Sequence, residues 1–333
     1  MKIPESGGGP RDDQMKRLYP EIEPYDHGML EVGDGNSIYW ALSGNPKGIS
    51  AIVLHGGPGS GSSANMRRFF DPQHYRIIQF DQRGCGKSQP NAADPQTDMS
   101  VNTTWHLVRD MERLRIFFGV ERWLVFGHSW GCTLALVYAQ QHAERIAGLV
   151  VAGITMTRQS EIDWLYHGMA VLLPQEWSRF RAGVPEEERD GHLVTAYHRL
   201  LQSPDPDLRL KAATSWHEWE GASILVDPDA TLPRRWADPG YLLMRARIIA
   251  HYFHHRGWLT DSQILKEAHR LAGIRGVMVH GRMDLEAPLV TAWELSQAWP
   301  EAKLVVVPRS AHSPSSAGMA AAIVDATDSF RNG

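Results

Sequence analysis

The segment Gly127-His128-Ser129-Trp130-Gly131 fits the pattern Gly-x-Ser-x-Gly, directly after an apolar run at 123–126 and directly before a helical pattern. In that setting the two glycines let a strand and a helix meet at a sharp turn that would crowd a Cβ. The serine between them is held strained, with its hydroxyl exposed at the helix N-terminus. A serine hydroxyl is a weak nucleophile near neutral pH and needs a histidine base, itself oriented by a carboxylate. Both partners occur downstream. Asp284 follows the apolar run 276–279 through His280-Gly281-Arg282-Met283, and His312 follows the run 304–307 through Pro308-Arg309-Ser310-Ala311. If those runs are parallel strands, Ser129, Asp284 and His312 leave one sheet at one edge. Glu286 is the alternative carboxylate. The other histidine beyond residue 270 is His280, which ends a strand and is expected to point into the core; His312 is therefore the expected base.

Attack by such a serine builds negative charge on an oxygen, which calls for two preorganised N–H donors. The backbone N–H of Trp130, next to the serine, is one. The second is expected from His55-Gly56-Gly57-Pro58-Gly59, where the chain passes close to a ligand without side-chain interference. Gly57 is the expected donor, because Pro58 has no N–H.

Positioning these groups requires a sheet. Apolar stretches at 29–32 and 38–42 flank Gly33-Asp34-Gly35-Asn36 and read as a hairpin. Short, nearly continuous apolar runs recur at 51–54, 75–80, 123–126, 149–151, 276–279 and 304–307. Runs of that kind suit strands buried on both faces. Helical patterns lie between or after them at 104–118, 130–143, 288–298 and 317–330; in the first, Leu107, Met111, Leu114 and Phe118 recur at helical spacing. The reading is an α/β protein with a mostly parallel central sheet flanked by helices. Residues 155–262 break the rhythm. They contain no convincing strand, and their helical patterns are interrupted by Pro174, Pro185, Pro204, Pro206, Pro233 and Pro239. The expected organisation is a catalytic domain of 1–154 and 263–333, with a helical cap domain of 155–262 inserted after the sixth strand. The cap would sit over the strand ends, where open α/β sheets place ligands.

Composition narrows the partners. The 333 residues carry a formal net charge of −4, which offers no basic field for nucleic acid or an anionic membrane. No apolar run is long enough to span a bilayer, and 1–13 lacks an apolar secretory core, so the expected compartment is the cytoplasm. Cys85 and Cys132 are expected to be reduced, buried thiols. The Gly-x-Gly-Lys-Ser within 81–88 lacks the spacing of a phosphate loop. His217, His251, His254 and His255 lack a zinc-binding spacing, and serine chemistry needs no metal. No cofactor and no metal are expected, and the oligomeric state is left open.

Taken together, the segments resemble one family, the proline iminopeptidases (prolyl aminopeptidases), α/β hydrolases with a helical cap. The resemblance runs from about Gly33 to the C-terminus. It is carried by His-Gly-Gly-Pro-Gly at 55–59, Asp-Gln-Arg-Gly-x-Gly-x-Ser at 81–88, Gly-His-Ser-Trp-Gly at 127–131, Ser160-Glu161-Ile162-Asp163-Trp164, and Trp216-His217-Glu218-Trp219-Glu220-Gly221. It implies an α/β-hydrolase fold and release of an N-terminal proline from small peptides, with acidic cap residues holding the substrate's protonated amine. Glu220 matches one such glutamate; Trp219 and Ile249 complete the implied substrate-binding set. The departures concern this pocket. Ile249 stands where the family usually has a second glutamate, and Ala250 where it has asparagine. Ala152 and Thr155 replace an arginine and a phenylalanine, Ala287 often a cysteine, and Ser313-Pro314-Ser315-Ser316 replaces Ser-Ala-Phe-Glu. The implied pocket is less acidic and more apolar, which also admits a small-molecule amide, ester or lactone without a free amine. A non-catalytic binding protein on the same fold is the third reading.

Overall fold

Alternate residues of each apolar run face opposite sides of one sheet, and both sides are covered. Ile52, Val125, Leu149 and Val151 join one buried cluster, while Ala51, Val53, Leu124, Phe126 and Val150 join another. A two-residue side-chain period with helices on both faces is what makes the runs continuous rather than alternating. The computed structural model describes residues 18–226 and 230–331.

The strands are β1 (Asp26–Gly33), β2 (Asn36–Gly44), β3 (Ile49–Leu54), β4 (Tyr75–Phe80), β5 (Trp123–Ser129), β6 (Ile146–Ile154), β7 (Gly276–Gly281) and β8 (Ala302–Val307). They form one sheet in the order β1-β2-β4-β3-β5-β6-β7-β8. β1 and β2 are the expected hairpin, with Leu30 opposite Ile38, and β2 joins β4 antiparallel. From β4 to β8 every pairing is parallel. The C-terminal ends of β3, β5, β7 and β8 therefore share an edge, and the segments at 55–59, 129, 284 and 312 leave from it.

Helix α1 (Thr104–Phe117) buries Leu107, Met111 and Leu114 as their spacing requires. Helix α2 (Trp130–Gln141), apolar on all sides but for Thr133, Gln140 and Gln141, is buried along nearly its whole length. Between β6 and β7 lie α3 (Gln159–Tyr166), α4 (Pro174–Ala182), α5 (Leu193–Leu200), α6 (Pro206–Ile224), α7 (Pro239–His254) and the short α8 (Gln263–Lys266). Pro174, Pro206 and Pro239 do not interrupt helices. Each stands in a first turn, where its missing N–H has no intrahelical partner to lose. The remaining helices are α9 (Leu289–Ala298) and α10 (Ala317–Asp328).

The inserted helices have their own core around Phe180, Tyr197, Trp216 and Trp219. Phe180 stacks on Tyr197 with centroids 4.5 Å apart and on Trp219 at 5.6 Å. Helix α7 serves both cores. Its Met244, Ile248 and Tyr252, one turn apart, pack with the sheet, whereas Ala246, Ile249 and Ala250 pack among the inserted helices. Among the described residues no helix is long and apolar enough to cross a membrane.

Candidate active site

Strand β5 runs into α2 at Ser129, whose φ of 57° and ψ of −126° place a non-glycine residue in a strained region. Space explains the flanking glycines. A Cβ on Gly127 would lie 2.1 Å from the Gly131 carbonyl oxygen, and one on Gly131 would lie 2.3 Å from that of Leu54. Both obstacles are backbone and cannot move aside. Ser129 itself remains half-buried at the edge of the sheet.

Asp284 and His312 meet there. The His312 Nδ1–H donates to Asp284 Oδ2 at 2.7 Å, and the other carboxylate oxygen accepts the Ala287 N–H at 2.9 Å. That bond puts the proton on Nδ1 and leaves Nε2 as the basic nitrogen. Asp284 is fully covered, and burial by itself would raise its carboxyl; the neighbouring His312 outweighs burial and lowers it. Burial would push the His312 imidazole down, but Asp284 and then Glu286 raise it to about 9. Asp284 is thus paired with the histidine. Glu286 takes another place, with its Oε2 3.8 Å from His312 Nε2. His280 does point into the core. It accepts the Ile154 N–H at 3.0 Å and donates to the Ala287 carbonyl at 2.8 Å, bracing the Asp284 loop.

A hydrogen-bonded chain ties the glycine loop to the Ser129 turn. His55 donates from Nδ1 to the Gly56 carbonyl and accepts the Gln82 N–H at Nε2, while the Gln82 amide donates to the His55 carbonyl at 3.0 Å and accepts the Trp130 indole N–H at 3.0 Å. Burial lowers His55 to about 4, so it stays neutral and keeps this tautomer. Gly56 packs so close to the elbow that its Cβ would stand 3.2 Å from the Ser129 Cβ. Gly57 follows at a φ of 115°, and Trp130 opens α2. Of this chain the sequence reading had only the loop and Trp130. His55 and Gln82 were visible merely as members of two separate motifs. His128 was missed as well; its Nε2–H donates to the His312 carbonyl at 2.9 Å, anchoring the histidine loop.

The implied substrate-binding residues sit differently from expectation. Glu220 lies inside the inserted helices with every acceptor engaged. Its Oε1 receives the Tyr166 hydroxyl and the Trp216 indole, each at 2.8 Å, and its Oε2 receives the Arg245 guanidinium. Burial would raise this carboxyl, but Arg245 holds it below the usual value. Trp219 and Ile249 require a correction. They are 1% and 0% exposed and belong to the core of the inserted helices, with the Trp219 indole donating to the Leu165 carbonyl, so neither presents a surface to a ligand. Arg245 was overlooked, although an arginine within the apolar stretch 242–250 signals a buried partner.

The 81–88 segment is scaffolding. Asp81 accepts the Ser62 and Lys87 N–H groups, and Arg83, 1% exposed, pairs with buried Asp110. Among the described residues one group could hold a metal: His198, His251 and His255, whose ligand atoms lie within 4.8 Å of one another. His198 stacks on His251 and His254, and His255 stacks on Trp258, which accounts for their clustering as aromatic packing. Two surface hollows of about 640 and 310 Å³ are lined by none of Ser129, Asp284 and His312.

Residues 52–316 match the family described as alpha/beta hydrolase fold. A probable proline iminopeptidase of Streptomyces coelicolor is 47% identical over 320 residues, covering 95% of this chain and 98% of that protein. A proline iminopeptidase of Xylella fastidiosa is 46% identical over 318 residues, covering 95% of this chain and all of its own length. Among solved structures, the proline iminopeptidase of Mycobacterium smegmatis has a TM-score of 0.59 at 21% identity, over 92% of this chain and 95% of that one. At that identity the likeness speaks for the fold.

Proposed function

We propose, for a chain that belongs to the α/β-hydrolase family and to its proline iminopeptidase branch, that Ser129, His312 and Asp284 form the triad of a serine hydrolase that releases N-terminal proline or a related residue from small peptides. The observation that carries this is the 2.7 Å bond from His312 to Asp284 at the sheet edge where the strained Ser129 stands. Ser129 Oγ attacks the carbonyl carbon while His312 Nε2 takes the hydroxyl proton, and Asp284 stabilises the imidazolium. The N–H groups of Gly57 and Trp130 hold the oxyanion. His312 then gives its proton to the departing amine, leaving an acyl-enzyme on Ser129. Water, deprotonated by His312, attacks the acyl group, and Ser129 leaves with the proton. Residues 155–262 act as the cap over this site.

One observation favours a second reading, a small-molecule amidase, esterase or lactonase. The Glu220 carboxylate is taken up by Arg245, and Ile249 offers no charge, so the cap holds no free carboxylate at either implied position. Turnover of prolyl β-naphthylamide, lost in Ser129→Ala, is the expected result for the peptidase. Hydrolysis of simple esters with no turnover of any aminoacyl amide would replace it with the second reading.

A further inference from the structure

Every other carboxylate around the triad has its donors. Asp284 receives His312 and Ala287, and Glu220 receives Tyr166, Trp216 and Arg245. Glu286 receives none among the described residues; its nearest partner is His312 Nε2, 3.8 Å away. Its side chain is 23% exposed, open to whatever enters the site. The backbone on either side is pinned. The Leu285 carbonyl accepts the Trp164 indole N–H at 2.7 Å, and the Ala287 N–H is held by Asp284.

A carboxylate facing Nε2 is on the wrong side to orient the base, which Asp284 does from Nδ1. Left alone, it keeps Nε2 protonated near neutral pH, so that nitrogen is already occupied and cannot take the proton of Ser129. It needs a cation from elsewhere when the enzyme works. In an N-terminal residue one carbon atom separates the amine from the carbonyl carbon. When that carbonyl carbon meets Ser129 Oγ, whose proton goes to Nε2, the amine must lie within a few ångströms of Nε2. That is the space Glu286 borders.

We propose that Glu286 receives the protonated amine of the substrate's N-terminal residue and that its engagement there frees His312 to act as base. The inference rests on the aminopeptidase reading and names its specificity determinant: the amine is recognised from the Asp284 loop, while the Glu220–Arg245 pair is a neutral strut of the cap. Burial raises the Glu286 carboxyl, as expected of an acid poorly solvated before its counter-ion arrives. The charged and titratable groups around the pair are Asp284, His128 and His280 beside His312, and Asp284, Glu220, Arg245 and Tyr166 beside Glu286.

The test compares prolyl β-naphthylamide with its N-acetylprolyl counterpart, which differs in lacking the charge. For Glu286→Gln, kcat/KM on the free amine should fall about 10- to 100-fold, mainly through KM, and the preference for free over acetylated substrate should narrow by a similar factor. Glu286→Asp should restore part of that preference. The acidic limb of the kcat/KM profile should move to lower pH in Glu286→Gln, because one of the two carboxylates raising His312 is gone. Labelling of Ser129 by a fluorophosphonate checks that each variant is folded. Equal losses on both substrates, or an undiminished preference, overturn the inference; if Glu220→Gln instead abolishes the preference, the amine belongs to the cap. A wild-type enzyme that turns over neither proline substrate removes the aminopeptidase reading and this inference together.

Discussion

The sheet edge and the cap interior hold their polar groups by different means. At the edge, position comes from backbone against backbone: Gly127 and Gly131 admit approaches that no side chain would survive, and His55, Gln82 and His128 lock loops through main-chain groups. In the cap, position comes from side chains, with stacked rings around one Glu220–Arg245 pair. The difference teaches where change is tolerated. A backbone contact cannot be repacked, whereas a side-chain core can exchange partners while its volume is kept. Ile249, where the family resemblance implies a glutamate, is read as an exchange of that kind. The groups at the edge are held, and the side chains of the inserted helices are freer to change.

The largest expected effect tests the cap pair. Arg245→Met leaves the Glu220 charge buried without its cation, and urea denaturation should show a loss of about 3–5 kcal/mol. Adding Glu220→Gln should recover most of it. If the single variant is as stable as wild type, the cap does not depend on this pair.

Two alanine substitutions sharpen the contrast. Gly131→Ala drives a Cβ into the Leu54 carbonyl and should cost about 1–3 kcal/mol or more, with activity lost through the displaced elbow. Gly221→Ala, inside α6, meets side-chain atoms of Leu232 and Trp236 at 3.4 Å, an ordinary contact, and should be neutral or stabilise by about 0.5–1 kcal/mol. Thermal melts of the two variants measure the difference, and equal destabilisation would erase it.

The smallest effect is read in pH. Burial lowers the cap histidines His198 and His217 to about 4 and His251 to about 3. Their folded values lie below the unfolded one, so the unfolded chain takes up protons first as pH falls below about 6.5, and the cap loses stability. His312 has the opposite sign. Raised to about 9, it favours the folded state fully below about pH 6.5, and that contribution disappears as pH rises through 9. Its activity as a base grows over the same rise, so kcat/KM should climb toward pH 9. His55 and His128 at the sheet edge, lowered to about 4 and about 3, share the sign of the cap histidines, so hydrogen exchange should show protection lower at pH 5 than at pH 7 in both regions.

Much of the sheet could be read from residue order. Continuous apolar runs between turns mark strands covered on both faces, and the elbow glycines, Asp284 and His312 sit at fixed distances after such runs. These are local signals, because strand ends and tight turns depend on neighbours in the chain. The parallel pairing then carries Ser129, Asp284 and His312 to one edge whatever fills the cap. Three matters needed the folded chain. Whether Glu220 is free depends on Arg245, which lies one helix away, and on Tyr166, 54 residues distant. Trp219 and Ile249 turn inward because the cap has its own core, which helical periodicity alone does not separate from a pocket wall. Glu286 was legible as a spare carboxylate near Asp284, yet which face of His312 it meets is set by Trp164 and Ala287 holding its loop. Local order along the chain determines what chemistry is available; burial and pairing between distant residues decide which charges remain free to use it.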